Sequence, residues 1–264
     1  MKDGLSMNPV MAITQDSKSF LWFGSQDGLN KYDGYKFEVF KTNDDDSTSI
    51  SDNFITSLCT DNIGKLWIGT LRGLNVYNPE TNSFKTFTAI SNNFKCSKIY
   101  CLYKDRTGLI WVGTEKGLAL FDSQKEEFLE ISSKFKGLTD LDQKTILCIS
   151  QDKFENYWIG TTNGLVKYIF SEGTVKNYTS NMPKGLSNDI VLSFHEDKKG
   201  NLWIGTLEGL NKYEPKTESF SHQYFKKQIE SKTSIKKNSA VDVVYIYSIV
   251  NNYGGNTIRC ILED

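Results

Sequence analysis

An all-β fold of four-stranded blades repeated about an axis, a β-propeller, is what this 264-residue sequence predicts, and three observations predict it. The first is spacing. Trp22, Trp67, Trp111, Trp158 and Trp203 are the only five Trp residues, and they stand 45, 44, 47 and 45 positions apart. The second is a shared phrase: Leu21-Trp22-Phe23-Gly24-Ser25, Leu66-Trp67-Ile68-Gly69-Thr70, Ile110-Trp111-Val112-Gly113-Thr114, Tyr157-Trp158-Ile159-Gly160-Thr161 and Leu202-Trp203-Ile204-Gly205-Thr206. The third is local character, since glycines among β-branched and aromatic residues deny the periodicity that a helical repeat needs. A repeat of this length marks a solenoid, a propeller or an array, and four short strands per repeat select the propeller.

Each repeat opens with an inner strand that ends on an Asp six residues before the Trp: Asp16, Asp61, Asp105, Asp152 and Asp197. Apolar residues stand six positions before that Asp (Val10, Ile55, Ile99, Ile146, Val191) and three before it (Ile13, Leu58, Leu102, Ile149, Phe194). The residue four before it is always small (Ala12, Ser57, Cys101, Cys148, Ser193), as crowding of backbones near an axis requires. The offset of three between the apolar positions breaks strict alternation and leaves room for a bulge. The Trp strand comes second. Its indole body fills the space between sheets, and the buried N–H needs an acceptor, for which the recurring Asp or Thr is expected. The third strand begins at Gly28-Leu29-Asn30-Lys31-Tyr32 and its equivalents at Gly73, Gly117, Gly164 and Gly209. Two residues between Thr70 and Gly73 fit a tight hairpin with Gly at positive φ. Phe37, Phe84, Phe128, Val175 and Phe220 mark the fourth strand, after turns such as Asn78-Pro79-Glu80-Thr81-Asn82.

Five complete blades are therefore expected within residues 1–220, at about 5–45, 46–92, 93–136, 137–182 and 183–222. Residues 221–252 read as an irregular insertion or a decayed repeat: Thr233-Ser234-Ile235 echoes Thr48-Ser49-Ile50, no Trp follows, and residues 241–246 could form a competing inner strand. Residues 253–264 end Ile258-Arg259-Cys260-Ile261-Leu262-Glu263-Asp264 and read as the first strand of a partial sixth blade. An open run of blades leaves two apolar end faces, so closure by the tail, a longer propeller or pairing of two copies is expected.

With 31 basic and 32 acidic residues, the chain offers no basic face for nucleic acid. The cluster Lys226, Lys227, Lys232, Lys236 and Lys237 reads as a solvated stretch. No run of apolar residues is long enough to span a membrane, and Met1–Ser6 has no apolar segment of the signal-peptide kind. The five Cys are an odd number, and Cys59, Cys101 and Cys148 fall in equivalent inner strands, where free Cys acts as a small buried hydrophobe.

The phrase Leu-Trp-Ile-Gly-Thr-x-x-Gly-Leu-x-x-Tyr resembles the two-component regulator propeller repeat. The opening, Gly4-Leu5-Ser6-Met7-Asn8-Pro9-Val10 with Phe20–Gly24 and Gly28–Tyr35, resembles the first repeat of such sensor domains. The resemblance implies the periplasmic or extracytoplasmic sensor region of a membrane-bound bacterial signalling protein, commonly a hybrid histidine kinase and sometimes a diguanylate cyclase. It further implies a small-molecule or oligosaccharide ligand and no cofactor, with a homodimer whose arrangement shifts on binding. The sequence departs from the family in having no signal peptide, a reduced set of repeats, no following immunoglobulin-like domain, no membrane helix and no output domain. Sensing, and not transmission, is what is expected of it. The alternatives are a ligand-independent dimerisation scaffold and a virginiamycin-type lyase, whose propeller carries a related Trp-rich phrase and a His/Glu/Mg site.

No catalytic set and no metal site is legible. His195 stands where other repeats carry Thr14, Cys59, Tyr103 and Ser150, so it reads as part of an axial polar lining, with a general base as the sharper alternative. Asp44-Asp45-Asp46 reads as a solvated acidic loop, because adjacent residues point different ways and no oxygen-ligand loop follows. The repeated glycines precede strands and not helices, which excludes a phosphate loop. A ligand is expected at one mouth of the central channel, held by residues that break the repeat: Tyr35, Tyr100, Tyr103, Glu155, Asn156, Tyr157 and His195. Enzymatic activity is not expected.

Overall fold

The computed structural model describes residues 4–87, 98–141, 143–223, 244–247 and 260–263. Blade one comprises β1 (Val10–Gln15), β2 (Leu21–Ser25), β3 (Gly28–Tyr32) and β4 (Phe37–Phe40). Blade two comprises β5 (Ile55–Thr60), β6 (Leu66–Thr70), β7 (Gly73–Asn78) and β8 (Ser83–Phe87). Blade three holds β9 (Ile99–Lys104), β10 (Ile110–Thr114), β11 (Gly117–Asp122) and β12 (Glu127–Leu129). Blade four holds β13 (Ile146–Gln151), β14 (Tyr157–Thr161), β15 (Gly164–Ile169) and β16 (Thr174–Tyr178). Blade five holds β17 (Val191–Glu196), β18 (Leu202–Thr206), β19 (Gly209–Glu214) and β20 (Ser219–Gln223). Each blade is a four-stranded sheet whose strands neighbour one another in chain order, as a propeller requires.

Two compact units divide the chain: residues 1–134 with 141–146, containing blades one to three, and residues 135–140 with 147–264, containing most of blade four and blade five. In the first unit the inner strands β1, β5 and β9 lie side by side in succession. In the second, β17 lies against β14. A short helix α1 (Ile131–Lys134) and a 3-10 turn (Leu138–Leu141), neither legible in the sequence, lie between β12 and β13. Strands β21 (Val244–Tyr247) and β22 (Cys260–Glu263) pair antiparallel, so the segment read as a competing inner strand is a partner to the second. β22 runs beside β17 and β18. The basic cluster at 226–237 and the echo at 233–238 lie outside the described residues.

The inner strands carry the irregularity that the offset of apolar residues left room for. Registers skip Met11, Thr56, Tyr100 and Leu192 in blades one, two, three and five. The skip keeps both apolar positions of an inner strand turned toward the preceding blade.

Successive blades meet through a four-ring cluster. Between blades one and two it is Trp22, Phe40, Tyr77 and Phe84, with Trp22 and Tyr77 edge-to-face at 4.8 Å. Between blades two and three it is Trp67, Phe87, Phe121 and Phe128, and between four and five Trp158, Tyr178, Tyr213 and Phe220. Each buried indole contributes roughly 5 kcal/mol of gross transfer energy before ordering costs are subtracted. A lysine covers two of these joints: Lys31 Nζ lies 5.5 Å from the Trp22 ring and 5.7 Å from Tyr77, and Lys167 Nζ lies 4.8 Å from Trp158 and 5.2 Å from Tyr213.

The Gly of the Trp phrase sits where the next inner strand passes. A Cβ on Gly69 would stand 2.8 Å from Ile99 Cγ2, and one on Gly24 would stand 2.6 Å from Ile55 Cγ2. We expect Gly69→Ala to cost about 1–3 kcal/mol by overpacking, read as a lower urea midpoint at unchanged slope.

Candidate functional site

The residues that obey the repeat are occupied structurally. In all five blades the Trp indole Nε1 donates to the Asp Oδ2 six positions earlier, at 2.8–3.0 Å. The other carboxylate oxygen of each Asp accepts backbone N–H groups two and four residues on, as Asp61 does from Ile63 and Lys65 at 3.0 and 2.9 Å. One side chain thus closes the first hairpin turn and anchors the indole. Its register requires positive φ three residues after the Asp: Ser19, Gly64, Gly108, Glu155 and Gly200 all adopt it.

At Asp197, burial pushes the carboxyl up, but hydrogen bonds from Trp203, Asn201 and the Lys199 backbone outweigh it and hold the group below the usual 3.8. A depressed folded value means that this stability is present above 3.8 and lost as pH falls through the lower folded value. Urea midpoints should therefore drop below about pH 4, less steeply in Asp197→Asn.

A second network lies at the opposite turns. Asn75 is fully buried; its Nδ2 donates to Ser51 Oγ and Gly73 O, and its Oδ1 accepts from Ser51 N and Thr86 Oγ1. Asn30 with Ser6, and Asn211 with Ser187, repeat the pattern. Each Ser hydroxyl pairs with the hydroxyl ending the Trp phrase: Ser25, Thr70 or Thr206. Blades three and four replace the Asn by buried Ala119 and Val166. The signal was present in the sequence as an Asn 24 residues after a Ser in three repeats.

The sequence-predicted ligand residues scatter over both units. Tyr35, at the tip of the turn between β3 and β4, is 95% exposed, and its N–H and that of Lys36 donate to Asp33 Oδ1, holding that carboxyl below its usual value. Tyr100 is the skipped residue of β9, and Tyr103 pairs with Trp111 across the sheet. His195 pairs with Trp203 in the same manner. The other His, His222, lies on β20 with Nε2 2.6 Å from Gly185 O. Tyr157 is 1% exposed, its ring packed against Phe135 and Tyr168. Asn156 is also buried, donating to Asp152 Oδ2 at 3.0 Å and accepting from Phe170 N at 3.3 Å. Glu155 breaks the repeat only by occupying a left-handed turn position, φ 66°, without being Gly. Glu155→Gly should accordingly raise stability by about 0.5–1 kcal/mol, read as a higher thermal midpoint.

The surface feature that the sequence reading missed lies beside them. Asn156 ties together the two turns that present Phe154 and Phe170, which are exposed, and Lys153 Nζ lies 5.2 Å from the Phe154 ring. In the first unit a cleft of about 100 Å³ is lined by Asn62, Ile63, Thr107, Gly108, Leu109 and Ser123, with none of the predicted residues among them. Among the described residues, no three His, Cys, Asp or Glu side chains are grouped to hold a metal ion. Asp44-Asp45-Asp46 forms an exposed turn in which Asp46 Oδ1 accepts from Thr48 N and Oγ1. Cys59 and Cys101 are unreactive by surroundings, since burial pushes both thiols up to about 12.

The model of the family described as "Two component regulator propeller" matches residues 49–72, 93–116 and 185–208. A 49-residue stretch is 53% identical to a histidine kinase, P4, of Formosa agariphila, spanning 19% of this chain and 4% of that protein. Among solved structures, the extracellular domain assigned to a hybrid two component system of B. thetaiotaomicron is 26% identical over 99% of this chain, with TM-score 0.73. This chain spans 38% of that domain's length. A catalytically inactive virginiamycin B lyase from Staphylococcus aureus, solved with quinupristin, shares the fold at TM-score 0.64 and 12% identity, with 98% of this chain and 86% of that one covered. No helix among the described residues is long and apolar enough to cross a membrane. The family's model thus matches segments of blades two, three and five, and blades one and four carry the same Trp phrase.

Proposed function

We propose that this chain is the ligand-sensing part of the extracytoplasmic region of a bacterial two-component signalling protein of the hybrid histidine kinase type, and that its ligand is an oligosaccharide. The observation that carries this reading is the similarity, over 99% of the chain, to the extracellular domain of a hybrid two component system. Tyr35, Tyr100, Tyr103, Glu155 and His195 remain the proposed contacts, joined by Phe154. Aromatic faces suit the apolar faces of pyranose rings, and the adjoining polar groups suit their hydroxyls. Binding would shift the arrangement of a dimer, and a membrane segment outside these residues would relay the shift. The reading is non-enzymatic.

Thermal unfolding against a panel of oligosaccharides tests it. A ligand of the native state at a hundredfold excess over Kd stabilises by about 2.7 kcal/mol, so one glycan class should give a saturable upward shift, lost in Tyr103→Ala or His195→Ala. An unchanged midpoint with every class overturns the ligand assignment.

A further inference from the structure

The cleft of about 100 Å³ in the first unit carries hydrogen-bonding groups that the protein itself does not use. Three turns of blades two and three build it: Asn62 and Ile63 between β5 and β6, residues 107–109 between β9 and β10, and Asp122, Ser123 and Gln124 at the end of β11 and in the turn that follows. Asp122 Oδ1 accepts from Gln124 N at 3.0 Å and from Lys125 N at 3.2 Å. Those two bonds fix the carboxylate and leave Oδ2 without a partner among the described residues. Ser123 is only 4% exposed, yet its hydroxyl makes no hydrogen bond among the described residues, nor is it one of the orphaned polar atoms shut off from solvent. The little surface that Ser123 keeps is the cleft it lines. A hydroxyl buried to this degree is normally completed by water or by a ligand. The side-chain amides of Asn62 and Gln124, both exposed, likewise bond to nothing among the described residues.

These groups are held in place before any ligand arrives. Glu126 closes the Asp122 turn in a left-handed conformation, φ 54°, and its carboxylate pairs with Lys65 Nζ at 2.8 Å and with Lys85 Nζ, both from blade two. The turn of blade three is thereby tied to the blade before it. On the other wall, the Asn62 amide lies over Gly108, in space that a Cβ there would take.

The same arrangement selects the ligand's chemistry. Asp122 is the one charged residue that lines the cleft, and Lys65 and Lys85 are already paired with Glu126, so an anion meets repulsion and no partner. A bare cation would find one carboxylate where a hard ion wants several charged oxygens, and Ile63, 61% exposed, with Leu109 beside it. An acceptor-only carboxylate beside a hydroxyl and two amides, which both donate and accept, matches adjacent hydroxyls on a ring whose C–H face rests on Ile63. The volume admits a single ring.

We propose that this cleft is a subsite for one neutral hexose unit, separate from the contacts proposed above and resting on that reading only for the ligand's class. Asp122 Oδ2 and Ser123 Oγ take neighbouring hydroxyls, and the Asn62 and Gln124 amides take those at the rim. With one ring and few contacts, Kd should be on the order of 1 mM.

Saturation-transfer NMR of the whole chain with glucose, galactose, mannose and glucuronate tests it. At least one neutral hexose should bind and glucuronate should not. Asp122→Asn keeps an oxygen for the turn amides but loses the charge. Gln124→Ala removes an exposed amide and spares the core. Each should raise Kd, Asp122→Asn by about tenfold, with circular dichroism unchanged. Tyr103→Ala should leave hexose binding intact. Loss of binding in Tyr103→Ala with none in the two cleft variants would place the hexose at the other contacts, overturning this proposal and supporting the broader reading. No binding by any neutral hexose, or binding by glucuronate alone, overturns the subsite, while the oligosaccharide panel still decides the broader reading.

Discussion

Asp61→Ala should destabilise the protein by about 3–5 kcal/mol, the largest effect expected of any single side chain outside the aromatic clusters. The Asp61 carboxylate is 5% exposed and accepts three hydrogen bonds, from Trp67 Nε1 at 2.9 Å, Ile63 N at 3.0 Å and Lys65 N at 2.9 Å. Alanine leaves a buried indole N–H without an acceptor and two turn amides to find water. The three bonds do not add, because losing the turn loosens the indole as well. Asp61→Asn separates charge from geometry: its oxygen can still hold the turn amides, but its NH₂ meets the indole N–H donor to donor. About 2 kcal/mol is expected there. Urea unfolding followed by Trp fluorescence measures both. Equal effects from Asn and Ala would mean that the indole bond, and not the turn, carries the energy.

Asn75→Ala should cost about 2–4 kcal/mol. The amide makes four hydrogen bonds at a fully buried position, so its removal orphans Ser51 N and Thr86 Oγ1 together and opens a void. Blades three and four carry Ala119 and Val166 there, and 24 positions earlier the sequence has Lys95 and Asp142 where the other three blades have Ser. That comparison makes the cycle with Ser51→Ala informative. The double variant should lose clearly less than the sum of the singles, with a coupling of about 1–2 kcal/mol. Strict additivity would show that Asn75 acts through packing alone.

The architecture was legible because its carriers are covalent neighbours. Trp and Asp six apart, and Gly three after the residue that follows the phrase's Gly, fix turn, hairpin and strand within one blade, and the spacing repeats unchanged. The Ser–Asn network was less visible, since its partners lie 24 residues apart and recur in only three repeats. Breaks in the pattern proved ambiguous. Glu155 departs from Gly64, Gly108 and Gly200 yet keeps their backbone conformation, while Asn156 and Tyr157 are consumed by packing. Exposure of Phe154 and Phe170 depends on how two turns of one blade are tied, which no linear pattern states. Helix α1 is four residues long, too short for any periodicity to declare it.

Every Trp–Asp bond closes inside a single blade, whereas each four-ring cluster is shared by two. A blade is therefore a unit that arrives with its own turn already secured and asks only for an apolar neighbour on either side. Copying or excising one such unit in the gene would break no indole bond and would replace one joint by another of the same kind. Lengthening and shortening of the repeat array is thus an inexpensive evolutionary move, and relatives with different numbers of blades are the expected outcome of that independence.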